Sequence, residues 1–403
     1  MELLKLLIIF AIIIGIVVLK KPLWLAALAA SAACFPVYWI PVWDGLKKIG
    51  AAVGSWTTLQ LLLLTYVITF LQCMIKERNG VARSQKALTD LFHNNWVTCT
   101  VAPFVVGLLP AAPAVFISGD IIDEAVGDRL TNVQKATAAS FFRHIPEGFL
   151  PTYSSILIAL ALTGLPAGHF VLGMLPLMIM MILLGCFFLY RGRVPAKAEG
   201  EPSSHKMQDL GNFFAGLWPL IIAIVLVVAF GMNVLLSIVI VTVAYLVIGR
   251  FDFATIKPFF RQSLQIKIMA NTVAIYAFKG ALDATGAIGK LPEFFEKLPF
   301  PAFLIFMLIC FFGAIVAGGQ TMATTIVPIA FASIPGAGLP LLCLLMGAIY
   351  AGSQVSLTHV CLALSCDHFG VNLGDLIKTT IPIVACFLVL SALYYLGWLA
   401  VFG

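Results

Sequence analysis

Apolar runs of about 20 residues, the length that crosses a bilayer as a helix, recur along the whole chain. Full spans are expected at 3–19, 23–42, 56–75, 152–190 (two helices divided near Gly164–Gly168), 212–230, 233–249, 268–285 and 379–402. Two further runs are interrupted near their middles: 96–120 by the Gly-, Pro- and Ala-rich 107–114, and 301–335 by the Gly- and Thr-rich 318–325. Such a break reads as a re-entrant hairpin, because non-helical backbone at membrane depth is tolerated only where it is buried in protein or faces a water-filled cavity. Each hairpin precedes a broken span: 137–165, interrupted at 143–152, and 339–366, interrupted at 352–359. The order of three spans, hairpin, broken span and closing span thus occurs twice, on either side of the polar stretch 191–209. The pattern predicts an all-α polytopic membrane protein of two inverted repeats, 1–190 and 210–403, joined by a cytoplasmic linker, with about 10 full spans plus two hairpins.

Composition agrees with this reading. Hydrophobic residues make up 61% and charged residues 10%, against about 25% charged in soluble domains. The net charge of +6 does not point to nucleic acid, because the positive residues sit at helix ends, where they set orientation. With the linker placed inside, 17 Lys and Arg fall on the cytoplasmic side, 5 fall outside, and Arg143 and Lys279 lie at or within the membrane. This asymmetry predicts a multi-pass protein of the cytoplasmic (inner) membrane with both termini extracytoplasmic. The first run could pass for a signal peptide, but Lys20 and Lys21 divide two runs of spanning length, so an anchored first helix is expected. The nine cysteines sit in or beside apolar runs without a CxxC, as small buried hydrophobes do.

Candidate chemistry lies at the interruptions. Arg143, His144 and Glu147 fall within five positions beside Pro146, Gly148 and Pro151. A charge at mid-membrane costs roughly 2.5–3.5 kcal/mol on insertion scales, so such groups face a path or a partner. Arg143 is expected to hold an anion bidentately, Glu147 to carry a proton and His144 to titrate near neutral pH. The alternative is an Arg143–Glu147 pair that only sets packing. His144 and Glu147 have a metal-ligand spacing, but Pro146 distorts the turn and no third ligand is near in sequence, so no metal is expected. The second hairpin offers Gly318, Gly319, Gln320, Thr321 and Thr324, with Thr325 next. Glycines let backbone approach a ligand, tip amides can hold an anion, and free oxygens can coordinate Na⁺; alternatively the hydroxyls bond back to helix carbonyls. The second break offers Ser353, Gln354, Ser356, Thr358 and His359. The first hairpin adds Pro113 at its tip and Ser118 after it. Asp123, Glu124 and Asp128 read as a solvated cytoplasmic cluster, and Lys279 and Asp283 as an i,i+4 pair or a gate.

Three runs carry a family resemblance: Gly107-Leu-Leu-Pro with Ser118-Gly-Asp-Ile-Ile-Asp-Glu-Ala125; Phe142-Arg-His-Ile-Pro-Glu147; and Tyr350–Leu364 with His368-Phe-Gly-Val371. They resemble, over nearly the whole chain, a prokaryotic integral-membrane family of unknown function. That family is similar to the ion transporter superfamily of gluconate, citrate, dicarboxylate and arsenite permeases. The resemblance implies two inverted repeats with re-entrant hairpins, scaffold and transport domains, and a homodimer. Two departures stand out. Pro113-Ala114-Val115 occupies the place of a Pro-Gly-Gly tip, which weakens close ligand approach there. Pro146 replaces a tryptophan, which sharpens the break.

The expectation is therefore a secondary active transporter moving a small, carboxylate-like organic anion by alternating access, coupled to Na⁺ or H⁺, with no cofactor beyond a bound Na⁺. Neutral oxygens at the breaks lean the coupling to Na⁺. A channel or a transporter-derived receptor is the competing reading. An intramembrane enzyme is disfavoured, since GxSxG, HExxH and paired GxGD motifs do not occur.

Overall fold

The computed structural model describes residues 5, 8–9, 11–13, 15–16, 19, 21–80, 83–84, 87, 91, 94–108, 114–194, 205–286, 300–356 and 359–402. The described residues are helical with no strand, and the protein is an all-α polytopic membrane protein. In chain order the first half runs α1 (Leu23–Tyr38), α2 (Val42–Val53), α3 (Trp56–Glu77), α4 (Asn95–Gly107), α5 (Ala114–Val126), α6 (Asn132–Arg143), α7 (Ser154–Thr163) and α8 (Ala167–Tyr190). The second half runs α9 (Lys206–Val228), α10 (Val234–Ile248), α11 (Phe253–Gln262), α12 (Ile266–Thr285), α13 (Ala302–Ala317), α14 (Gly319–Ser333), α15 (Leu339–Ser353), α16 (Val360–Phe369) and α17 (Leu373–Phe402). The helices α3, α8, α9 and α17 are each long and apolar enough to cross a membrane, and α1, α4, α7, α10, α13 and α15 are shorter apolar helices.

Side-chain caps set several helix starts. Ser55 caps α3 through the Thr58 amide, Asn94 caps α4 through the Trp96 and Val97 amides, and Asn233 caps α10 through the Leu235 and Leu236 amides. The apolar run 302–333 is split by Gly318 alone, at φ 85° and ψ 153°. That region is essentially restricted to glycine. The interruption is therefore one residue long, not the eight expected at 318–325, and Gln320, Thr321 and Thr324 lie in the first turns of α14. The first hairpin's tip, 109–113 with Pro113, lies outside the described residues, as do most of the linker (195–204) and Thr358.

Two elements were not anticipated. The helices α2 and α11 are amphipathic and follow the second span of each half. α2 exposes Val42, Trp43 and Leu46; α11 exposes Phe253 and Phe260. Lys47 Nζ lies over the Trp43 ring at 5.7 Å.

The halves are knitted together by contacts that come in swapped pairs. The third span of each half packs on the second span of the other: α12 on α1, and α3 on α10. Each amphipathic helix packs on the other half's third span: α2 on α12, and α11 on α3. Hairpin arm α14 packs on α7, the second piece of the first broken helix, and arm α5 packs on α16, the second piece of the other.

Candidate functional site

The first break follows from α6. A capping box starts that helix: Gln134 N–H donates to Thr131 Oγ1 (3.3 Å) and Thr131 N–H to Gln134 Oε1 (3.0 Å). The helix ends at Arg143 because Pro146 supplies no N–H and its ring opposes helical continuation; a 3₁₀ turn over Ile145–Gly148 takes over. Arg143 thus lies eleven residues from the helix start at Asn132, roughly 17 Å along the axis. Tyr153, in the same break, donates its hydroxyl proton to the Gly107 carbonyl of hairpin arm α4. In the second break, Ser356 Oγ donates to Ile315 O (2.8 Å) and ties the break to hairpin arm α13.

The two breaks meet. Arg143 and His144 are each 3% exposed. His144 Nδ1 lies 2.6 Å from Ser140 O. A carbonyl only accepts, so Nδ1 donates to it, and a guanidinium only donates, so Nε2 accepts from Arg143; the tautomer is assigned from these two contacts. Arg143 Nη1 lies 3.3 Å from that Nε2 and 3.5 Å from Cys361 Sγ. The His144 and His359 rings meet edge to face with centroids 4.6 Å apart. His359 Nε2 lies 3.9 Å from Glu147 Oε2. Arginine, two histidines, a thiol and a carboxylate from both halves thus form one cluster.

In front of this cluster is a cavity of about 410 Å³. Its wall comes from the first break (Glu147, Tyr153, Ser154, Ser155), the second hairpin (Gly318, Gly319, Gln320), α15 (Tyr350, Ser353) and the second break (Ser356, His359, Cys361). The N-termini of α7, α14 and α16 all open onto it, since Ser154, Gly319 and Cys361 line it. Helix N-termini present amide protons and the positive end of the helix dipole. Gln320 Nε2 and Tyr350 Oη are buried without a hydrogen bond of good geometry among the described residues, although buried polar atoms normally have one. A larger cavity, about 600 Å³, lies beside α3, α7 and α10; its wall carries His169 but no Asp, Glu, Lys or Arg.

Of the expected residues, Glu147, Gly318, Gly319, Gln320, Ser353, Ser356 and His359 line the cavity. Arg143 and His144 stand behind Cys361 and His359. Thr321, Thr324 and Ser118 are buried off the cavity wall, as is Gln354. Thr321 and Thr324 donate to the carbonyls of Ala317 (2.7 Å) and Gln320 (2.6 Å), the back-bonding alternative for hydroxyls in a helix. Asp123 is not simply solvated, since it pairs with the buried Lys135 at 2.6 Å. Lys279 Nζ lies over the Tyr276 ring at 5.9 Å. Cys361 and Tyr153 were not anticipated. The one sequence signal for Cys361 is its place two residues after His359 in the polar break. No third ligand lies near His144 and Glu147 in sequence and Pro146 distorts their turn, but the fold brings His359 and Cys361 to His144.

Together these features define a multi-pass, all-α membrane protein with a polar cavity enclosed between broken helices. The chain belongs to the family described as protein of unknown function DUF401, which matches residues 3–398. No curated protein matches in sequence. Among solved structures, the fold is similar to that of MtrF from Neisseria gonorrhoeae, with 13% identity and a TM-score of 0.53 over 88% of this chain and 83% of that one. MtrF is described as illuminating a class of antimetabolite efflux pumps.

Proposed function

We propose that this protein is a secondary active transporter that moves a small organic anion across the cytoplasmic membrane by alternating access. One observation carries the reading: three helix N-termini open onto a cavity backed by Arg143 and two histidines. Amide protons and a guanidinium favour a carboxylate-like group there, and the Gln320 amide, buried without a hydrogen bond of good geometry among the described residues, offers a further donor to the ligand. The similarity of fold to an efflux pump supports transport over channel or receptor roles. The swapped contacts between halves support two inverted repeats, 1–190 and 210–403, whose relative movement would expose the cavity to each side in turn. A homodimer remains part of this proposal by family resemblance.

The geometry supports H⁺ over Na⁺ as the coupling ion. Thr321 and Thr324, and Thr325 beside them, whose oxygens lean the sequence reading to Na⁺, lie off the cavity and donate to backbone carbonyls four residues earlier. Glu147 and His359 face each other across the cavity wall and can exchange a proton between halves. The test is counterflow and gradient-driven uptake in proteoliposomes. Glu147→Gln should keep carboxylate exchange but lose uptake driven by a pH gradient. Full pH-driven uptake in that variant would remove Glu147 from the coupling.

A further inference from the structure

The cluster beside the cavity holds a second donor set, which shares His359 and Glu147 with the proposed proton path. The ligand atoms of His144, His359 and Cys361 all lie within 4.8 Å of one another. They come from opposite halves of the chain, so only the folded protein assembles them. We propose that His144, His359 and Cys361 form a binding site for a divalent transition-metal cation of the Zn²⁺ class, with Glu147 or a cavity ligand in the fourth position.

Four features support this. First, a tetrahedral ion with bonds of about 2.0–2.1 Å to nitrogen and 2.3 Å to sulfur places its ligand atoms roughly 3.3–3.7 Å apart. The present spacing reaches that with side-chain shifts of about 1 Å. Second, His144 has the support that a metal-bound histidine needs. Its Nδ1–H is held by Ser140 O at 2.6 Å, which orients the ring and leaves Nε2 as the donor atom. Third, two of the three ligand atoms already act as acceptors towards one point, because Arg143 Nη1 lies 3.3 Å from His144 Nε2 and 3.5 Å from Cys361 Sγ. A metal ion would take the place of that nitrogen, and the guanidinium would swing away. Fourth, the donor set narrows the ion. Two imidazoles and one thiolate suit Zn²⁺ or Co²⁺ where a fourth donor completes a tetrahedron, and Cu²⁺ where the fourth is weak and long, whereas Mg²⁺, Ca²⁺ and Na⁺ prefer oxygen donors and Cu⁺ prefers a wholly soft set. Coordination replaces the thiol proton, which passes to Glu147 or to water in the cavity.

This differs from transport in its readout, since metal retention is measured without flux and either reading can fail alone. The experiment titrates Co²⁺ into the purified, reduced, full-length protein in detergent and follows its absorption. One equivalent should produce a thiolate-to-cobalt charge-transfer band and intense visible bands of tetrahedral Co²⁺. Both should be lost in Cys361→Ser and weakened at least tenfold in affinity in His359→Asn. Arg143→Gln, by removing the competing cation, should tighten binding by tenfold or more. Weak octahedral Co²⁺ bands, or a charge-transfer band that survives Cys361→Ser, would overturn the site. Should the cysteine variant fail to fold, zinc-edge X-ray absorption on the wild type decides. One sulfur with two or three nitrogen or oxygen neighbours supports the assignment, and a shell without sulfur or with two or more sulfurs refutes it.

Discussion

Arg143 is the residue on which the anion reading turns. Its planar guanidinium stands behind the cavity wall and holds His144 Nε2 and Cys361 Sγ, a reach that lysine matches in charge but not in geometry. Arg143→Lys should therefore abolish carboxylate uptake while leaving the protein monodisperse and its thermal transition within a few degrees of wild type; unchanged uptake would refute the anchoring role. The sequence made Arg143, His144 and Glu147 conspicuous because ionisable groups are rare inside apolar runs. It could not do the same for Cys361. All nine cysteines lie in or beside similar apolar surroundings, and what separates Cys361 is a contact with Arg143 across 218 positions of chain. Thr321 and Thr324 mislead in the opposite sense. A hydroxyl in an apolar segment reads as a ligand, yet the carbonyl four residues earlier satisfies it in the helix.

At the scale of elements, close backbone approaches hold the cavity wall. A Cβ at Gly352 would collide with the Phe311 carbonyl oxygen and stand 2.8 Å from Ala314 Cβ. It would push hairpin arm α13 away from α15. Gly352→Ala should lower stability by about 1–3 kcal/mol, the usual cost of overpacking, read as a lower thermal midpoint in detergent. An unaltered midpoint would mean that the two helices do not meet as described. The positions of the breaks were legible because Gly and Pro punctuate helices. Their extents were not, because Gly318 alone turns the chain and helix resumes at once. The amphipathic helices α2 and α11 escaped notice because each is short, mixes lysine or arginine with aromatics, and resembles a connecting loop when only runs of spanning length are sought.

For the whole molecule, the swapped packing makes a topological prediction. The helices α2 and α11 occupy corresponding places in the two halves, so the proposed inversion puts them on opposite faces of the membrane. A membrane-impermeant thiol reagent applied to intact cells should label Lys47→Cys but not Lys257→Cys, in a background where neither native span cysteines nor the wild type react. Labelling of both from one side would contradict the inverted arrangement. The most direct test of the central claim, that the cavity between the breaks is an alternating-access anion site, is carboxylate uptake into proteoliposomes under an imposed pH or Na⁺ gradient. The account predicts saturable accumulation that follows the gradient in the wild type and vanishes in Arg143→Lys. Flux that ignores the gradient, or accumulation that persists in the variant, would contradict it.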